Sequence, residues 1–172
     1  DENHMAALFQ DLGSAPSTME ASKCCDAWGL LPGHDTQQAD ARQAYTQATY
    51  KGTPTWVRLP KDQWPQQWYD NNMHDPVVPL VLALYGHPES GGYWEQHCDA
   101  HLKDIGYELI DSWRSCYWHP IYRALLAVYV DGFKLACLRG DKKAIRERIR
   151  KRGPSGRGGI EMDPPHPVNR YL

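Results

Sequence analysis

Two apolar runs, Tyr122–Val130 and Phe133–Leu138, are separated only by Asp131-Gly132. Asp-Gly between apolar runs is the strongest short-range hairpin signal a sequence carries. A type I′ turn needs φ > 0 at both central residues, and Asp and Gly tolerate it. The pattern therefore predicts a β-hairpin with Asp131 at its tip, which puts a carboxylate on the rim of a sheet. The chain has 172 residues, 41% hydrophobic and 23% charged, enough to bury a core around such a hairpin and too apolar for wholesale disorder.

Other signals place elements around the hairpin. Ser17-Thr18-Met19-Glu20 is a capping box and predicts a helix running to about Trp28 and stopping at Gly29. Residues 36–40 read as a short strand and 41–50 as a helical turn. Thr55–Leu59 alternates like a strand, 60–76 is loop-like, and Val77–Leu84 contains Pro79, which suits an edge or irregular extended segment. Tyr93–Ile105 is the clearest helix, stopped by Gly106, and short strands follow at Tyr107–Ile110 and Ser115–His119. Asp141 is the expected cap of a basic helix reaching about Arg152, and Gly153–Gly159 reads as a flexible linker. The expected organisation is an irregular segment over 1–16, an α+β domain over 17–152 and a Gly/Pro-rich extension over 153–172.

Several function classes are excluded or weakened. The longest apolar run, Ala124–Val130, has seven residues, against the ~18 of a membrane span, so no membrane partner is expected. The N-terminal residues show no signal-peptide pattern. Five cysteines with no CxxC spacing argue against a disulfide scaffold or zinc ribbon and suit a reducing compartment. His97 and His101 are spaced for one helix face, which suits either a metal site or an ordinary polar face, but the glutamate of a metalloprotease motif is missing. Ser90 lacks the setting of a nucleophile elbow. Residues 139–157 hold nine of the chain's 19 basic residues and two of its 21 acidic ones. That segment is either a polyanion-binding surface, with Lys142, Lys143, Arg146 and Arg150 as its contacts, or a solvated helix face.

Asp40 ends the short strand, as Asp131 tips the hairpin, and two rim carboxylates brought together repel unless a cation lies between them. Hard divalent cations take such oxygen ligands and use them in phosphoryl transfer. The surrounding residues resemble a known family. Gln38-Ala39-Asp40-Ala41-Arg42-Gln43-Ala44-Tyr45, then Thr55–Pro60, then Ala83-Leu84-Tyr85-Gly86 with Ser90-Gly91 and Trp94, then Leu126–Asp131 are similar, in that order, to the motifs of copia-type retrotransposon reverse transcriptases. The likeness spans roughly residues 17–140, with an echo at Asn169–Leu172.

The resemblance implies a reverse-transcriptase palm with partial fingers, a small antiparallel sheet backed by helices. It implies RNA-directed DNA polymerisation, with nucleic-acid template–primer and dNTP as partners and Mg2+ as cofactor. Asp40 and Asp131 would be the catalytic magnesium ligands. Tyr45 would lie under the nucleotide sugar, Gln43 and Ala44 near the triphosphate, Tyr129 at the primer end, and Gly86, Ser90 and Gly91 around the nascent base pair. Gly132 stands where the family has a second Asp. Neither Lys nor Arg occurs in the sixteen residues before Ser17, where fingers would supply basic groups. Pro88, Glu89 and Gly92 replace the family's Lys, Gln and Arg. These departures lead to an expectation of weak magnesium binding and slow or absent polymerisation. A non-catalytic nucleic-acid-binding remnant and a plain structural domain are the rival readings.

Overall fold

The computed structural model describes residues 14–156 and 158–168. In chain order the elements are α1 (Met19–Gly29), β1 (His34–Asp40), a 3-10 turn (Ala44–Gln47), β2 (Trp56–Arg58), a 3-10 turn (Lys61–Gln63), α2 (Gln66–Asp70), β3 (Val77–Pro79), α3 (Ser90–Asp104), β4 (Glu108–Leu109), β5 (Cys116–His119), β6 (Ala124–Tyr129), β7 (Gly132–Leu138) and α4 (Lys142–Arg150). The class is α+β. Five antiparallel strands form one sheet in the order β1-β7-β6-β5-β4, and β2 pairs with β3 in a separate ribbon.

The hairpin sits at the centre of the sheet, and alternation along β6 and β7 divides their apolar side chains between two faces. Leu125, Ala127 and Ala136 pack with Cys116 under α1, which contributes Ala21 and Cys25. Leu126, Val128, Phe133, Leu135 and Cys137 form the opposite face with Trp94, Cys98 and Leu102 of α3 and Ile145 and Ile149 of α4. Leu102, Leu126, Ile145 and Ile160 are each at most 1% exposed, and burial of such a side chain stabilises by about 1.5–3 kcal/mol. Lys134, flanked by Phe133 and Leu135, alternates onto the α1 face. There its fully buried ammonium donates to Ser22 Oγ at 3.0 Å and to Asp26 Oδ2 at 2.7 Å.

Several local expectations are corrected. The cap of α1 is Thr18, whose Oγ1 accepts from Ala21 N at 3.3 Å, rather than Ser17. Ser17 is drawn away because its own N–H donates to Val128 O at 2.9 Å. Asp141 precedes α4 but makes no side-chain capping bond. Residues 60–76 are not loop alone: Pro65 starts the short α2, and Trp64 packs against Trp68 and Tyr69 at 5.9 and 5.5 Å between ring centroids. Gly106 does end α3, at φ +98, with its N–H on Lys103 O and Tyr107 N–H on Leu102 O.

The described residues of the expected linker and extension, as far as 168, are built into the domain, whereas most of the expected irregular segment (1–13) and the echo at Asn169–Leu172 lie outside the described residues. A Cβ on Gly159 would lie 2.1 Å from Arg150 O, so only glycine allows this close approach. The chain then runs beside β1, with bridges Met162 to Ala41 and His166 to Gln38, and Ile160 and Met162 enter the core.

The hairpin connection also differs from the expectation. Tyr129 pairs with Gly132, so the two central residues are Val130 and Asp131, and Val130 carries the positive φ of 54°. Gly132 is the first residue of β7 because β1 recruits it, with Asp40 opposite.

Candidate functional site

Asp40 is the last residue of β1 and Asp131 the second residue of the hairpin turn. Register brings them to the same rim. Asp40 is the cross-strand partner of Gly132, and Ala41 N donates to Asp131 O at 2.7 Å. Both side chains are exposed. A Cβ built on Gly132 would lie 3.6 Å from Asp40 Oδ1 and 3.4 Å from Tyr129 O, at ordinary contact distance. Position 132 therefore faces the carboxylate of Asp40. The donors at this rim are hard oxygens, the type Mg2+ takes, and two residues supply them. Among the described residues no group of three or more His, Cys, Asp or Glu is placed to hold a metal ion.

Tyr45 lies in the 3-10 turn just after β1, and its ring stacks on Tyr85 with centroids 4.5 Å apart. Burial chiefly, then Tyr85, then the charge of Asp131 hold its phenol above the ordinary tyrosine range. The Asp131 carboxylate is thus within electrostatic reach of Tyr45. Gly91 borders the same place, since its Cβ would lie 3.8 Å from Tyr45 Oη. Tyr129, 43% exposed, ends β6 opposite Gly132.

The other expected residues divide by what their side chains do. Gln43 is exposed at φ 48, immediately before the turn. Ala44 is fully buried in the core, so only its backbone is open to a ligand role. Gly86 has φ +88 and open space around it. The hydroxyl of Ser90, fully buried, donates to Leu84 O at 2.7 Å and accepts from Leu84 N at 2.9 Å, which closes the loop before α3.

Along α4, Lys142 pairs with Asp35, and this ammonium holds the Asp35 carboxyl below the usual carboxylate range. Arg146 is half-buried in a shallow recess with Phe133 and Ile149. Lys143 is exposed, as is Arg150, which lies 3.9 Å from Glu147. Lys151 and Arg152 are exposed beyond the helix. His101 is buried, with Nε2 2.7 Å from Ile149 O, and His97 stacks against Trp94. Both histidines have packing roles in α3.

Two features were not singled out from the sequence. One is Lys134, whose signal was a lone cation within an apolar strand. The other is the bond made by Trp94, a residue named above only for its place in a motif, whose indole N–H donates to Val130 O at 2.6 Å. Nothing local in the sequence links these two positions.

Fold and rim define the class of this protein as an α+β domain whose central antiparallel hairpin bears Asp131 at its tip, beside Asp40 at the end of the neighbouring strand β1. No family model, curated protein or solved structure matches the chain.

Proposed function

We propose that this chain is a palm-like domain of copia-type reverse-transcriptase descent, whose lineage activity is RNA-directed DNA polymerisation and whose own polymerising capacity is weak or lost. The observation that carries the reading is the register of β1 on β7. It sets Asp40 against the hairpin tip that bears Asp131, although 91 positions separate them in the chain. The Tyr45–Tyr85 stack beside this rim supports it, as does the agreement in order among the four motifs.

Asp40 and Asp131 would hold magnesium, which when bound supplies positive charge for a primer 3′-hydroxyl attacking a dNTP. The chain's own residues supply the rest. Asp40 contributes negative charge at the end of a strand and Asp131 in the hairpin turn, Tyr45 an aromatic wall, and Tyr129 an exposed ring beside the tip. Gly132 leaves the rim one carboxylate short, which weakens cation binding.

The basic segment supports a second reading, a non-catalytic remnant that holds nucleic acid. Lys143, Arg150, Lys151 and Arg152 are exposed on one stretch of an otherwise acidic chain. Phosphate contacts of this kind give log affinity falling with log salt at a slope near −0.9 per contact.

Two measurements test these readings. Calorimetric magnesium titration of the wild type, Asp40→Asn and Asp131→Asn should show binding lost in either variant. Affinity for a template–primer duplex should fall steeply with salt, and primer extension should be very slow. Magnesium binding that neither substitution alters would remove the polymerase reading. Duplex affinity that ignores salt would remove the nucleic-acid one.

A further inference from the structure

The end of the hairpin is held by atoms outside the sheet. β5 begins opposite Ala127, and Val128 N–H still reaches Ser115 O at 2.8 Å, so on the outer edge of β6 the carbonyls from Val128 onward have no strand partner. Buried carbonyls need donors. Val128 O takes the N–H of Ser17 at 2.9 Å, and Val130 O takes the indole N–H of Trp94 at 2.6 Å. On the other side of the tip, Asp131 O takes the N–H of Ala41 at 2.7 Å.

Val130 is the unusual member. A β-branched residue at φ 54 is an outlier, and such a backbone persists only where its surroundings over-determine it. Trp94 is 2% exposed and sits on the first turns of α3, so its position is set by the core rather than by solvent. The Val130 carbonyl is therefore held by α3 and the next carbonyl, that of Asp131, by Ala41 just after β1, and the direction in which Asp131 leaves the turn follows from these two bonds.

We infer that Trp94 is the positioning residue of the hairpin tip: its indole N–H fixes the Val130 carbonyl and so sets the direction in which Asp131 leaves the turn. The inference rests on the reading of Asp40 and Asp131 as one cation site. It adds a specific link from α3, which also borders Tyr45 through Gly91, to the geometry of that site.

Trp94→Phe keeps an aromatic ring and deletes the N–H. Without metal, the three-bond coupling that reports φ at Val130, and the amide shifts of residues 130–132, should change. Magnesium affinity should weaken about tenfold, the effect of one lost hydrogen bond in the positioning of a ligand. Leu102→Ala is the control, because it removes core volume from the same helix without touching the tip. It should lower the melting temperature at least as much while leaving the coupling and the magnesium affinity unchanged. Unchanged residues 130–132 in Trp94→Phe would overturn the inference, and so would equal weakening of magnesium binding in Leu102→Ala. A wild type that binds no magnesium would overturn the cation-site reading, while the couplings would still decide whether Trp94 holds the tip.

Discussion

Gly132→Asp isolates the electrostatics of the rim. Position 132 is in β7, outside the positive-φ region, so a side chain costs no backbone strain there. The new Cβ would stand 3.6 Å from Asp40 Oδ1, which puts the added carboxylate within about 4–5 Å of the existing one. Two unit charges ~4 Å apart repel by about 1 kcal/mol in water and by ~4 kcal/mol at an effective dielectric constant of about 20. Both side chains reach solvent, so the lower figure applies. For a chain of this length that is a fall of about 2–4 °C in melting temperature without metal. Screening at ~0.1 M salt acts over ~10 Å, so added salt should relieve only part of it. Magnesium should reverse the sign, because three carboxylates attract a dication that two hold weakly, and a ligand bound only by the folded state raises its stability. The assay is a thermal melt of wild type, Gly132→Asp and Gly132→Asn, in chelator and in millimolar magnesium. Gly132→Asn should melt like the wild type in both. An equal loss in the Asn variant would show that the cost is steric. No loss and no magnesium gain in the Asp variant would show that position 132 does not face Asp40's carboxylate.

Three further outcomes are expected. In urea unfolding, Asp26→Ala should cost about 1.5–3 kcal/mol, the worth of one charge-assisted hydrogen bond to the buried Lys134 ammonium, which keeps its bond to Ser22, whereas Lys134→Met should be near neutral; equal losses would mean that the pair acts only through packing. Of the five free cysteines, Cys24 alone is exposed, and burial pushes the Cys25 and Cys137 thiols up to about 12 and Cys116 to about 11. A disulfide reagent at mild alkaline pH should therefore titrate one thiol in the native protein and five after unfolding. His119 is buried between Tyr107 and Tyr122, and burial holds its pKa below the ordinary value. The unfolded chain therefore takes up this proton first. The stability that His119 contributes is complete above about pH 6.5 and is lost as pH falls toward the folded value. His119→Phe should flatten that part of the melting-temperature profile, and an unchanged profile would show that another group sets it.

Much of the chain was legible because its signals are local. The apolar runs around Asp131-Gly132 specify a hairpin by composition and spacing alone, and Gly106 stops α3 because only a short-range backbone conformation is at stake. The antiparallel α+β class follows from such pieces. The pairing of β1 with β7 is different in kind, since a strand's sequence does not name its neighbour. Only the packed sheet sets Asp40 opposite Gly132, draws Gly132 out of the turn and leaves Val130 with the positive φ. Ser17 lost the cap to Thr18 for the same reason, because a tertiary hydrogen bond to Val128 outweighed the local motif. The Gly/Pro-rich end looked unstructured because its partners, Gln38 and Ala41, are more than a hundred residues away. The sequence by itself determined which carboxylates could reach a sheet rim. Tertiary structure decided that they share one, because contacts distant in the chain are settled by burial and backbone pairing across the whole core.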